Sequence, residues 1–170
     1  MTPEGVNEQA LGAWRAFLRA HAGLVEALER ELQEEKGLPL AFYDVLAQLE
    51  KAPEGRLRMQ ELAERLLLSR SGFTRLCDRM EGAGLLERLR CPEDRRGVYA
   101  SLTSAGREAL ESAAPVHMRG VEEHFVRHLG ERDLEALTQM LERVCEGNRS
   151  EEGCAPGDQS SSSRTSGGQG

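Results

Sequence analysis

Ser69, Arg70, Ser71, Thr74, Arg75 and Arg79 fall in one eleven-residue stretch, and Arg95 and Arg96 follow on the far side of a polar turn. Hydroxyls and guanidiniums in this density are hydrogen-bond donors suited to phosphate oxygens, and arginine also suits the edge of guanine. Catalysis would need different spacings. The chain has no G-x-S-x-G, no phosphate-cradling glycine loop and no H-E-x-x-H, so it reads as a binding protein without a cofactor rather than as an enzyme.

The net charge of -7 over 170 residues argues against a polyanionic partner until its distribution is examined. Residues 56–96 hold ten arginines against seven carboxylates, a local +3, whereas residues 1–55 and 97–170 each come to -5. The donors therefore sit in a basic middle between acidic ends.

Periodicity supplies the elements that must position them. Over residues 7–36 the positions Leu11, Trp14, Leu18, His21, Val25, Leu28 and Leu32 alternate spacings of three and four, which predicts a long amphipathic helix closed by Gly37 and Pro39. Its stripe is longer than a small domain needs to cover itself, and so points to packing against a second subunit. A second helix is predicted from about residue 40 to 49, then a turn at Pro53-Glu54-Gly55. Two short helices follow, at 60–67 and 70–83, with Ser69 as N-cap of the second, Phe73, Leu76, Cys77 and Met80 on its apolar face and Gly84 at its stop. This pair is a helix-turn-helix candidate, and its second helix carries the donors opposite the apolar stripe, as a reader of the major groove requires.

Residues 85–91 and 98–102 read as strands of a hairpin whose turn, Pro92-Glu93-Asp94-Arg95-Arg96-Gly97, brings Arg95 and Arg96 to a tip that can reach a minor groove. Asp94 would repel phosphate, so its expected role is to pair with an arginine and hold the tip, or to form the turn. Thr103 can cap a helix over 104–128 that Pro115 is expected to kink, and a last helix is expected over 131–145. From residue 147 onward glycine, serine and acidic residues predict a disordered tail. No apolar run suits a membrane and Met1-Thr2-Pro3-Glu4-Gly5 lacks signal-peptide order, which leads to a cytoplasmic expectation.

Three further groups of residues admit chemistry beside a plain structural reading. Trp14 with Arg15, Arg19 and His21 can hold an aromatic anion by stacking and charge-assisted hydrogen bonds, or can be ordinary helix packing and solvated charge. His124 and His128 at i, i+4, with His117 one heptad before, suit zinc in part but lack a full ligand set. Cys77, Cys91, Cys145 and Cys154 form no C-x-x-C pair, and Cys77 and Cys91 are either small apolar fillers or redox-sensitive thiols.

Taken in order, Glu61-Leu62-Ala63, Leu68-Ser69, Thr74-Arg75, Asp78-Arg79-Met80-Glu81, Gly84-Leu85-Leu86-Glu87-Arg88, Asp94-Arg95-Arg96-Gly97 and Leu102-Thr103-Ser104-Ala105-Gly106 resemble the multiple-antibiotic-resistance regulator (MarR) family over about residues 40–110. The resemblance implies a mainly α protein with a small β-hairpin wing, a winged helix-turn-helix with N- and C-terminal dimerisation helices. The corresponding division is 1–36 and 104–146 for dimerisation, 37–103 for DNA binding and 147–170 for the tail. It further implies a homodimeric repressor of a palindromic operator, released by a small molecule or by oxidation. Relatives that sense phenolic or benzoate-like acids bind them between the dimer helices and the winged domain, where the Trp14 cluster is expected. Oxidation-sensing relatives keep a reactive cysteine near the start of the first long helix, and this chain has none there. Zinc-responsive relatives add ligands near the first two helices, where this chain has Ala41 and Phe42, leaving Glu31, Glu34 or Glu35 as remaining oxygens. Redox or zinc response, and a helical interaction module without DNA binding, remain the alternatives.

Overall fold

Asn7 caps the first helix: its side-chain oxygen accepts from the Ala10 N–H at 2.8 Å, and α1 (Glu8–Lys36) runs from there. The computed structural model describes residues 6–66, 70–90 and 97–152. After α1 come α2 (Leu40–Glu50), a 3-10 turn (Pro53–Gly55), β1 (Arg56–Arg58), α3 (Met59–Arg65), α4 (Arg70–Gly82), β2 (Leu86–Arg90), β3 (Val98–Leu102) and α5 (Ser104–His124). A second 3-10 turn (Val126–His128) and α6 (Glu131–Glu152) complete the order. Two compact units divide between His128 and Leu129, so α6 belongs to a unit of its own.

Gly37 ends α1 in the left-handed region at φ 61, the conformation a residue without Cβ adopts at no steric cost. Pro39 then precedes α2 and offers no side-chain cap, and Glu29 of α1 takes that role by accepting the Leu40 N–H at 2.7 Å. The α1–α2 corner is therefore fixed by a carboxylate at a helix N-terminus, where it also meets the positive end of the dipole.

The core of the first unit is built on α2, whose Phe42, Val45, Leu46 and Leu49 are buried with Leu32 of α1, Leu62 of α3, Phe73, Leu76, Cys77 and Met80 of α4, Leu57, Leu86 and Ala100 of the strands, and Leu110, Ala113 and Val116 of α5. Each fully buried leucine among them contributes about 1.5–3 kcal/mol over its exposed state. The sheet order is β1-β3-β2, all antiparallel, with Leu57 opposite Ala100 and Arg88 opposite Ala100 on the other side. Alternation sends Leu57, Ala100 and Leu86 inward, and it sends Arg88 inward with them.

Within the first unit, α5 seats against its neighbours through two glycines. A Cβ on Gly106 would lie 2.0 Å from the Leu85 carbonyl oxygen, and one on Gly120 would lie 2.6 Å from Leu28 Cδ2. Thr103 joins the three elements that meet there: its hydroxyl donates to the Gly84 carbonyl at 2.7 Å and accepts from the Gly106 N–H at 3.0 Å. The end of α4, the start of the wing and the start of α5 are thereby tied at one residue. Across the α1–α5 contact His124 Nε2 meets Glu31 Oε1 at 2.5 Å, and Arg119 pairs with Glu35.

Three elements depart from expectation by more than a residue or two. A third strand, β1, lies in what reads as the approach to a helix, because three residues are too short to show alternation. The helix expected to reach residue 128 stops at His124, where Phe125 leaves helical geometry (φ -127, ψ -64). Its exposed Pro115 lies inside the continuous helix. In the second unit α6 continues through Gly147 to Glu152, so residues 147–152, expected in the disordered tail, are helical. Asn148 donates to the Val144 carbonyl at 2.9 Å within the helix, and one glycine costs only about 1 kcal/mol there. Residues 153–170 lie outside the described part.

Candidate nucleic-acid interface

The helix-turn-helix consists of α3 and α4, and α4 divides cleanly into two faces. Phe73, Leu76, Cys77 and Met80 are buried, whereas Ser71, Thr74, Arg75 and Asp78, at i, i+3, i+4 and i+7, are exposed together. The sequence thus folds here because its apolar residues recur at helical spacing, and the same spacing gathers the polar donors on the outside. Ser69, Asp94, Arg95 and Arg96 lie outside the described residues, and for Arg70 the backbone alone is described.

Arg79, expected among the donors, is exposed, but its guanidinium carbon stands 5.1 Å over the Phe42 ring. That cation–π contact ties α4 to α2. The residue that sequence reasoning missed is Arg88. From its inward position on β2 it reaches Asp78 Oδ1 at 2.6 Å and Glu81 Oε2 at 2.6 Å, and donates to the Thr74 carbonyl at 3.4 Å. Glu81 in return accepts the Arg88 backbone N–H at 3.2 Å. Burial works to lower the pKa of this guanidinium, but the hydrogen bond to Asp78 and the charges of Glu81 and Asp78 outweigh it and hold the pKa above its usual value. One wing residue therefore clasps three positions of the helix whose outer face carries the donors. A signal was available in the sequence: in Leu86-Glu87-Arg88 the arginine has the inward parity of Leu86, and an inward charge needs partners.

A groove of about 580 Å³ runs between α4 and the strands, with Arg58, Gln60, Thr74, Asp78, Arg88 and Val98 on its walls. Arg56 and Arg58, cross-strand from β3, hold their guanidinium carbons 5.5 and 5.7 Å from the Tyr99 ring.

On α1 the residues expected to meet an aromatic anion are all exposed within the protomer: Trp14 is 56% exposed, and Arg15, Arg19 and His21 are exposed too. Trp14, Phe17 and His21 form a ladder of rings with centroids 6.1 and 6.3 Å apart, and Arg15 stands 4.0 Å from Glu8. The three histidines do not converge. His117 stacks on Tyr43 at 4.2 Å, His124 pairs with Glu31, and His128 lies beyond the end of α5; among the described residues no group of three or more His, Cys, Asp or Glu could hold a metal. Cys77 is buried, and burial pushes its thiol up to about 11, away from the thiolate a redox sensor uses. Cys91 and Cys154 are outside the described residues.

A short helix, a second helix that begins five residues after the first ends and carries an exposed row of donors, and a three-stranded antiparallel sheet define a winged helix-turn-helix. Comparison with known proteins narrows this class. Residues 36–97 match the model of the MarR family. YkoM, an uncharacterized HTH-type transcriptional regulator of Bacillus subtilis (strain 168), is 33% identical over 110 residues, covering 65% of this chain and 70% of that protein. AbsC, a MarR family transcriptional regulator from Streptomyces coelicolor, superposes with a TM-score of 0.80 at 34% identity, covering 85% of this chain and 97% of that one. Sco3205 of the same organism and family, solved in complex with DNA, gives 0.81 at 33% identity over 86% and 91% of the two chains. This chain belongs to the MarR family, and is a DNA-binding transcription regulator of non-enzymatic type. Among its described residues no helix is long and apolar enough to cross a membrane.

Proposed function

We propose that the protein is a homodimeric repressor that binds a palindromic operator through α4 and the wing and is released by an aromatic carboxylate or phenolic effector. The observation that carries the operator reading is the exposed row Ser71, Thr74 and Arg75, on a helix that Arg88 clasps at Thr74, Asp78 and Glu81. Arg75 and Thr74 read bases, Ser69, Arg70, Ser71 and Arg79 meet phosphate or bases, and Arg95 and Arg96 enter the minor groove with Asp94 shaping the tip. Arg79 can do so while stacked on Phe42, because stacking uses the face of a guanidinium and leaves its edge for hydrogen bonds.

Dimerisation is supported by apolar surface that a lone protomer leaves to water: Trp14, Phe17, Leu18 and Val25 on α1, and Met140, Leu141 and Val144 on α6. We assign residues 1–36 and the region from 104 through α6 to dimerisation, and 37–103 to DNA. A two-fold then sets two copies of α4 about 34 Å apart, one duplex turn. The effector reading rests on the Trp14, Phe17 and His21 ladder beside Arg15 and Arg19, a stacking surface with cations at hand. An effector must favour one separation of the two α4 helices over another, since equal affinity for both shifts nothing.

Fluorescence anisotropy on the DNA flanking the protein's own gene, at several salt concentrations and beside an unrelated duplex, tests the reading. Tight, steeply salt-dependent binding to one segment, lost in Arg75→Ala, is the expected result. A folded dimer that binds no duplex at low salt would overturn it. Titration of aromatic acids against the complex should release wild type at concentrations that leave Arg15→Ala bound, and equal release of both removes Arg15 from the effector site.

A further inference from the structure

Gly37, Leu38 and Pro39 are all that separate α1 from α2, and each is held in place. The Gly37 N–H donates to the Gln33 carbonyl at 3.0 Å, Leu38 is buried in the core, and the ring of Pro39 fixes its own φ at -60. Pro39 leaves the first turn of α2 without a side-chain cap, and Glu29 closes it from α1 by accepting the Leu40 N–H at 2.7 Å. We infer that Glu29 is a positioning residue for operator recognition, holding the winged helix-turn-helix at a fixed pitch on the helix assigned to dimerisation. The inference rests on the dimeric operator reading above and adds to it the joint between its two halves.

The surroundings of both ends of this bond carry it. On α1, Glu29 sits where the helix passes from its exposed apolar stretch, Trp14 to Val25, to its buried end at Leu32. On α2, the capped residue Leu40 is followed two positions later by Phe42, over whose ring the Arg79 guanidinium carbon of α4 stands at 5.1 Å. One turn of α2 is thus bonded to the dimer-side helix by Glu29 and packed against the donor-bearing helix by Phe42. A palindromic operator must be met by two copies of α4 at one separation. A looser joint lowers the fraction of dimers in that arrangement, and apparent affinity falls with the fraction. Binding to a random duplex draws on phosphate charge and needs no such register. A cap that served stability alone would act on both kinds of duplex alike.

The test is anisotropy of the full chain on two probes of equal length, a fragment from upstream of its own gene and a random duplex, at about 50 to 200 mM KCl, with sedimentation equilibrium to verify the dimer. Glu29→Gln and Glu29→Ala lose the same charge and differ in the acceptor that the amide keeps, so comparing them isolates the hydrogen bond. Glu29→Gln should keep the wild-type preference for the upstream fragment. Glu29→Ala should lose up to about fivefold of that preference per protomer, with random-duplex affinity and salt slopes equal to those of Glu29→Gln. Should the alanine variant fold poorly, Glu29→Asp, whose carboxylate is one methylene short of Leu40, is expected to show the same loss with the charge kept. An unchanged preference in Glu29→Ala, with Arg75→Ala impaired, overturns the inference and spares the operator reading. Equal weakening of both probes by Glu29→Ala assigns the cap to stability alone, and a loss shared by Glu29→Gln assigns the effect to charge; either overturns the inference. A wild type that is monomeric, or that shows no preference between the probes, overturns the operator reading and the inference together.

Discussion

Replacing Arg88 by alanine isolates the clasp between the wing and α4. The side chain is 24% exposed and makes two charge-assisted hydrogen bonds at 2.6 Å, to Asp78 and Glu81. Fully buried bonds of this kind contribute about 1.5–3 kcal/mol each. Here Asp78 and Glu81 are 57% and 40% exposed, so water screens the pairs and rehydrates the carboxylates when the arginine is gone. The contribution of each bond accordingly falls to about 0.5–1 kcal/mol. Adding the apolar stem of the side chain brings the total to about 2 kcal/mol. For a chain of this size that corresponds to a fall in Tm of about 4–8 °C. Lysine, a point charge that cannot fork to two carboxylates, should recover about half of the loss. Circular dichroism melting measures these shifts, and a double-mutant cycle with Asp78→Ala should return a coupling of about 1 kcal/mol. Operator affinity should fall as well, because α4 loses its clasp to the wing, but with an unchanged salt slope, since Arg88 neutralises carboxylates and not phosphates. If Arg88→Ala melts within about 1 °C of wild type and binds its operator equally well, the clasp does not position the helix.

Other perturbations follow from the packing. Gly106→Ala sets a methyl against the Leu85 carbonyl, which cannot move without the turn, and should cost about 3 kcal/mol in urea unfolding. Gly120→Ala meets only the flexible ends of Leu28 and Glu31 and should cost about 1 kcal/mol. Burial holds the His117 pKa below its usual 6.5. The unfolded chain therefore takes up a proton first as pH falls, so stability from this group is complete above pH 6.5 and declines below it, and His117→Phe, which keeps a ring against Tyr43, should flatten that decline in melts between pH 5 and 7. Iodoacetamide at pH 8 should label exposed Cys145 in the native protein and leave Cys77 unmodified until denaturant is added; native labelling of Cys77 would refute its burial.

Much of this architecture was legible because periodicity is long in the elements that matter. The stripe from Leu11 to Leu32 repeats often enough to fix a helix, although only Leu32 of it is buried within the protomer, and the Phe73, Leu76, Cys77 and Met80 face fixes both a helix and its inward side. Gly37 and Gly84 marked stops correctly, both adopting positive φ. Arg56-Leu57-Arg58 was not legible as a strand, since three residues pair only through Tyr99, Ala100 and Ser101, more than forty positions away. For the same reason Arg88 escaped notice: its role depends on side chains from another element, whereas Ser71, Thr74 and Arg75 declare themselves within one helix. Arg79 was read from its helical position alone, and the Phe42 ring that receives it comes from a distant helix.

Two neighbouring rings of α2 face opposite duties. Phe42 lies beneath Arg79 of α4, and Tyr43 is stacked with His117 of α5 at 4.2 Å. Both are buried in close-packed surroundings, where a displaced ring displaces whatever touches it. Helix α2 therefore behaves as a rocker arm with a pad on either side. A substitution that shifts either ring is therefore expected to be felt at the other pad, which makes α2 the element through which a change of packing at α5 would reach α4.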